Sequence, residues 1–202
     1  MFIQVIQGRV SDAEEMRAAL DRWVEQEAPG AVGWLGSTAG VSEDGTFIAL
    51  VRFESEEAAR HNGNRPEQHQ WWMETAKLFS GDVTFHDCPE VVTFGRGGSD
   101  DAGFVQVMQG RVRDMERMRE LNEQFEAVAG DFRPDVIGGV VALHGDGGYT
   151  NAVYFTSEKA AREGERQEPP AQLKELMDEE MALHEGQPTF IDLPDPWLTS
   201  PR

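Results

Sequence analysis

The sequence predicts an α+β protein built as two consecutive βαββαβ repeats, and three observations carry that prediction. First, Phe2-Ile3-Gln4-Val5-Ile6-Gln7-Gly8-Arg9-Val10 returns as Phe104-Val105-Gln106-Val107-Met108-Gln109-Gly110-Arg111-Val112. Second, the landmarks that follow keep their order in both copies. Asp12, Met16 and Arg17 answer to Asp114, Met118 and Arg119, and Phe53, Ser55 and Ala58-Ala59-Arg60 to Phe155, Ser157 and Ala160-Ala161-Arg162. Phe85-His86-Asp87-Cys88-Pro89 likewise answers to Phe190-Ile191-Asp192-Leu193-Pro194. Third, apolar spacing alternates between helical and extended periods within each copy.

Residues 2 to 7 are apolar on both faces, as a strand buried on both sides requires. Residues 12 to 27 place Met16, Leu20, Trp23 and Val24 on one helical stripe, with Ser11 or Asp12 as cap and Pro29-Gly30 as stop. Residues 33 to 41 and 46 to 53 read as strands joined by Ser42-Glu43-Asp44-Gly45, a hairpin signal. Ser55 caps a short Ala-rich helix that Asn62-Gly63-Asn64 interrupts. Pro66 then opens a helix reaching about residue 79, residues 82 to 88 form the last main strand, and residues 91 to 94 extend it. In the second copy Met115, Met118, Leu121 and Phe125 stripe the first helix, and Leu173, Leu176, Met177 and Met181 the last.

That order is the ferredoxin-like arrangement. It divides the chain into a first domain at 1–94, a Gly/Ser/Asp connector at 95–103 and a second domain at 104–202. Strand 46–53 turns Phe47, Ala49, Val51 and Phe53 to one face and Ile48 and Leu50 to the other, so neither face suits water. The expected architecture is therefore two ferredoxin-like βαββαβ repeats forming an intrachain pseudo-dimeric α+β barrel, with further homo-dimerisation of the fused chain left open.

The chain carries 18 Lys+Arg against 37 Asp+Glu, a net charge of −19. Such a balance opposes phosphate-rich partners, so neither a nucleic acid nor an anionic membrane is expected. Acidity is shared between the halves, which reads as a solvated surface. The single cysteine, Cys88, allows no intrachain disulfide. With no basic, apolar leader and no run of about 20 apolar residues, a cytoplasmic protein is expected. There is no phosphate-binding Gly loop in strand-turn-helix context and no nucleophile elbow. His61, His69, His86 and Asp87 lack metal-ligand spacing, so no metal is expected.

The element order, the Ala28-Pro29-Gly30 and Arg133-Pro134 segments before a Gly-bearing second strand, and the Ser55-Glu56-Glu57-Ala58-Ala59-Arg60 segment resemble the antibiotic-biosynthesis-monooxygenase-like domains of the dimeric α+β barrel superfamily. The resemblance spans nearly the whole chain as a tandem fusion. It implies a cofactor-free monooxygenase acting on an aromatic quinone precursor, in which the deprotonated substrate itself supplies electrons to O2. Heme-degrading members use an Asn on the first strand and a later His as iron ligand. Here the first strand carries Gln4 and Gln7, and no His lies between Gln70 and Asp82, which argues against heme.

By the same resemblance, Asn62 and Trp72 are the substrate-contacting residues, with Asn64 and Trp71 as alternates, and His69 or His86 is the general base. From the residues alone, Gln68 falls inside the apolar arc of the helix begun by Pro66, and a buried amide must find a partner or a ligand. A structural bond is the preferred reading for Gln68, core packing for Trp71 and Trp72, and mutual pairing of amides for Gln4; ligand contact is the alternative for all four. A tyrosine, expected in such pockets, is absent from the first copy, whereas Tyr149 and Tyr154 lie in the second. The expectation is a small aromatic or apolar ligand in the first repeat, with no cofactor. The competing reading is a non-catalytic ligand-binding or structural protein of the same fold.

Overall fold

The computed structural model describes residues 1–129 and 132–201. The chain forms β1 (Phe2–Arg9), α1 (Ala13–Gln26), β2 (Trp34–Val41), β3 (Thr46–Phe53), α2 (Glu56–Gly63), α3 (Pro66–Thr75) and β4 (Thr84–Cys88). It continues through β5 (Glu90–Gly95), β6 (Phe104–Arg111), α4 (Met115–Ala129), β7 (Val136–Leu143), β8 (Gly148–Phe155), α5 (Glu158–Glu165), α6 (Ala171–Leu183), β9 (Thr189–Leu193) and β10 (Trp197–Thr199). Two compact units result, one of residues 1–91 with 192–202, the other of residues 92–191.

Each unit holds a five-stranded antiparallel sheet, ordered β10-β2-β3-β1-β4 in the first and β5-β7-β8-β6-β9 in the second. In each sheet the four adjacent strands, β2-β3-β1-β4 and β7-β8-β6-β9, are the ferredoxin-like set read from the repeat. The fifth was not legible as placed: residues 91 to 94 do not prolong β4 in its own sheet but form β5, beside β7. A glycine explains the fit, because a Cβ on Gly139 of β7 would lie 2.1 Å from the Phe94 ring. A close approach of backbone to an aromatic ring needs that missing side chain.

Local signals act as expected. Asp12 caps α1 by accepting from Glu15 N at 2.9 Å, and Ser55 and Ser157 cap α2 and α5 in the same way. Gly45 and Gly147 close the two hairpins with φ of 83° and 87°, a conformation that L side chains resist. The helix from Pro66 is shorter than read, ending at Thr75 with one tight turn, Ala76–Leu78, before Phe79 returns to bridge Val10.

Register assigns every side chain of the first sheet to a face. Gln4 stands opposite Val51 and Asp87, and Ile6 opposite Ala49 and Phe85. On the helix-covered face, Phe2, Trp23, Ala31, Trp34 and Phe53 form one buried cluster, and Val10, Met16, Ala39, Phe47 and Ala49 another. The opposite face buries Ile3, Val5, Ile48 and Leu50 completely or nearly so. Both faces thus bury apolar side chains, and each contributes about 1.5–3 kcal/mol by leaving water. Among the described residues, no helix is long and apolar enough to cross a membrane.

Candidate functional site

Between the first sheet and its helices lies a cavity of about 430 Å3. Its floor is the helix-covered sheet face, including Gln4, Ile6, Phe47, Ala49 and Val51. Its roof is α1 through Met16, Leu20 and Trp23, α2 through Asn62, and α3 through Gln68, Trp71, Trp72 and Thr75. Trp197 and Thr199 of β10 complete the wall, paired in register with Ala39 and Ser37. The size suits a drug-sized, mostly apolar molecule.

Four of the chain's five tryptophans line it. Trp23, Trp71 and Trp72 run in sequence, with centroids 6.3 Å apart at each step, and Trp72 meets Phe85 edge-on at 5.3 Å. Two are pinned by hydrogen bonds: Trp71 Nε1 donates to Ala19 O at 3.0 Å, and Trp23 Nε1 to Gln68 Oε1 at 2.6 Å. Aromatic walls with fixed orientation offer edges and faces to a flat ligand.

The polar groups share one feature. Gln68 spends its oxygen on Trp23, which leaves its amide nitrogen without a partner among the described residues. Asn62, only 6% exposed, spends its oxygen on Arg65 Nη1 at 2.9 Å. Arg65 is itself held by the Glu27 carbonyl at 3.0 Å and the Glu27 carboxylate at 3.2 Å. Asn62 Nδ2, Gln68 Nε2 and the indole N–H of Trp72 are therefore donors of cavity-lining residues with no acceptor among the described residues. Gln4 differs: its amide nitrogen donates to Asp87 Oδ1 at 2.8 Å, which fixes a carboxylate at the rim.

Six of the sequence-derived residues thus share one cavity: Asn62, Asn64, Gln68, Trp71, Trp72 and Gln4. His69 and His86 do not line it. His69 follows Gln68 by one residue, a turn of about 100° on the helix, and is exposed. His86 alternates with Asp87 along β4 and shares the opposite sheet face with Val5. Sequence reasoning missed Trp23 and Trp197. Trp23 was read only as core stripe. The signal for Trp197 was its place after Leu193-Pro194, matching the strand that follows Cys88-Pro89.

The second unit has its own cavity, of about 360 Å3, in the corresponding place. It is lined chiefly by Met108, Met115, Met118, Phe125, Val141 and Leu143, with Tyr149, Asn151, Glu180 and His184 as polar groups. Tyr149 Oη lies 2.7 Å from His184 Nε2, and both residues are 5% exposed. Burial pushes the Tyr149 phenol and the Glu180 carboxyl above their ordinary values. No group of three or more His, Cys, Asp or Glu side chains able to hold a metal occurs among the described residues.

No family model matches the sequence, and no curated protein does. Solved structures match nearly its whole length. One is a provisionally named monooxygenase of Fusobacterium nucleatum, 11% identical, with a TM-score of 0.77 over 98% of this chain and 94% of that one. Another, from Lactobacillus acidophilus and named the same way, is 10% identical, with a TM-score of 0.72 over 98% and 99%. A third, an anthrone oxidase-like protein, is 16% identical, with a TM-score of 0.66 over 98% and 93%. The likeness is one of fold. It is the doubled ferredoxin-like fold that the resemblance in the sequence implies, and monooxygenase-like proteins carry it.

Proposed function

We propose that the first unit binds a flat, mostly apolar aromatic molecule bearing a carbonyl or phenolate oxygen and catalyses its oxygenation without a cofactor. The observation that carries this reading is the set of donors unpaired among the described residues, Asn62 Nδ2, Gln68 Nε2 and Trp72 Nε1, on residues that line the cavity beside its aromatic rings. Donors fixed before the reaction stabilise oxygen-centred negative charge, which develops when such a substrate loses a proton. Water exclusion strengthens each of these bonds. Asp87, oriented by Gln4, is the carboxylate placed to receive that proton. For a CH2 group flanked by aromatic rings, one atom of O2 becomes the new carbonyl oxygen and the other leaves as water. The substrate supplies all the electrons, so the balance needs no external reductant. The name of the anthrone oxidase-like structure supports this substrate class.

A second reading is ligand binding without turnover. It is favoured by one observation, that His69 and His86, the bases the resemblance implies, stand off the cavity wall.

Oxygen uptake with anthrone and hydroxynaphthalenes separates the two. Uptake that falls at least tenfold in Trp72→Ala and Asn62→Ala supports oxygenation. Tryptophan quenching by anthrone with no uptake supports binding alone, and neither response removes both readings.

A further inference from the structure

The two cavities differ at matched positions, and the differences run one way. The bridges Val10–Phe79 and Val112–His184 put His184 where the first unit has Phe79. Registers Gly8–Phe47 and Gly110–Tyr149 put Tyr149 where it has Phe47. Registers Ile6–Ala49 and Met108–Asn151 put Asn151 where it has Ala49. In the first unit Phe47 and Phe79 pack edge to face at 5.5 Å and 79°. In the second, Tyr149 and His184 keep that geometry, 5.7 Å and 68°, with a hydrogen bond added. Packing alone does not call for this change, because the all-apolar version already fills the same place in the same chain.

The hydrogen bonds give the polar patch a direction. His184 Nδ1 lies 3.0 Å from the Glu180 carbonyl, which only accepts, so Nδ1 carries the ring proton. In the tautomer with that proton on Nδ1 alone, Nε2 accepts, and Tyr149 donates its single proton to it. What Tyr149 Oη can still offer is a lone pair. Asn151 Oδ1, on the same face of β8 two residues on, is buried with no hydrogen-bond partner among the described residues. Leaving such an acceptor empty is costly. Two acceptors therefore await donors. An anionic ligand is disfavoured, since Glu123 and Glu180 outnumber Arg119 on this wall.

We infer that the second cavity is a separate binding site for a neutral apolar molecule that presents a hydrogen-bond donor, a hydroxyl or N–H, to Tyr149 Oη and Asn151 Oδ1. The hydrogen-bonding atoms left open beside the aromatic rings of the first cavity are donors; Tyr149 Oη and Asn151 Oδ1 in the second are acceptors. The methionines around it, flexible and polarisable, adapt to the ligand's apolar body.

The test uses the full chain with methyl-labelled methionine, because Met108, Met115 and Met118 report on this cavity and Met16 on the first. The probes are 2-naphthol, a donor, and 2-methoxynaphthalene, nearly the same shape without one. Expected is a shift of the three second-cavity methyls with 2-naphthol at least tenfold tighter than with the ether. Tyr149→Phe and Asn151→Ala, each restoring the first unit's residue, should both shrink that preference to less than threefold. Asn151→Ala removes an unpaired group and should fold normally, so the test survives if Tyr149→Phe does not. Equal affinity for the two probes, shifts confined to Met16, or an undiminished preference in Asn151→Ala would overturn the inference. None of these results depends on whether the first cavity turns a substrate over.

Discussion

Gln68 both supports the fold and faces the first cavity, and two substitutions pull those roles apart. Its oxygen accepts from Trp23 Nε1 at 2.6 Å, and Trp23 is 6% exposed. Gln68→Leu leaves that indole N–H unpaired, a cost of about 1–3 kcal/mol. Burying the leucine returns about 1–2 kcal/mol. The net loss of about 1 kcal/mol corresponds to roughly 2–4 °C in melting temperature for a chain of this size. Gln68→Glu keeps an oxygen for Trp23 but replaces the free amide donor with a carboxylate oxygen. It should melt closer to wild type than Gln68→Leu does. Its affinity for anthrone, read by tryptophan quenching, should nevertheless fall at least tenfold, or about 1.4 kcal/mol. Wild-type anthrone affinity in Gln68→Glu would refute the donor argument, and a lower melting temperature for Gln68→Glu than for Gln68→Leu would refute the role assigned to Trp23.

Two further outcomes follow from titrating groups. Asp44 and Asp146 occupy the same place in the two hairpins, and both carboxyls are held down to about 2. For Asp44 the cause is hydrogen bonds from Ser42 and Thr46; for Asp146 it is Gly148 N and the Arg111 side chain. Depressed folded values mean that their stabilisation is complete above about pH 4 and is lost as pH falls towards 2. Carbon-detected NMR should show both titrating near 2, and ordinary values for either would contradict the hairpin bonds. The Cys88 thiol is pushed up to about 12, first by burial and then by the charge of Asp87. Its folded form holds the proton more tightly than the unfolded chain, so stability should decline from about pH 9 upward. At pH 8 thiol reagents should label it only at the unfolding rate; rapid stoichiometric labelling of native protein would show the site to be open.

Much of this was legible because it is written in local spacing. The strands came from short apolar runs bounded by turn signals, the caps from Asp12 and Ser55, and the first hairpin from its Asp-Gly turn. Gln68, Trp71 and Trp72 were found because helical angle alone places them on one arc. His69 sits at the edge of that arc, and a few tens of degrees decided its exposure, which idealised geometry could not settle. The fifth strand was illegible for another reason. Pairing of β10 with β2 joins residues near opposite ends of the chain, and no local pattern encodes such a partner. The bridges also fix how the later helices of the two repeats align. Counting back from the bridges at Phe79 and His184, the counterparts of Trp71 and Trp72 are Leu176 and Met177, and that of Gln68 is Leu173.

That correspondence bears on how the duplication is read. Compared residue against residue, the second repeat has lost the polar and aromatic groups of α3: Gln68 is replaced by Leu173, Trp71 by Leu176 and Trp72 by Met177. It would then be a decayed copy whose cavity persists only as a by-product of the fold. Decay, however, replaces functional polar groups with packing residues and gives no reason to insert new ones into a core. Here the same groove carries Tyr149, Asn151 and His184 where the first repeat is content with Phe47, Ala49 and Phe79, and Asn122 where it has Leu20. Each buried polar group must be matched or it destabilises, yet Asn151 Oδ1 is left unmatched. Random drift under selection for stability alone would remove that atom first. Its retention beside a tyrosine and a histidine already fixed in orientation is what a site shaped for a ligand requires, and the duplicated chain has the room to keep two such sites with opposite hydrogen-bonding sense.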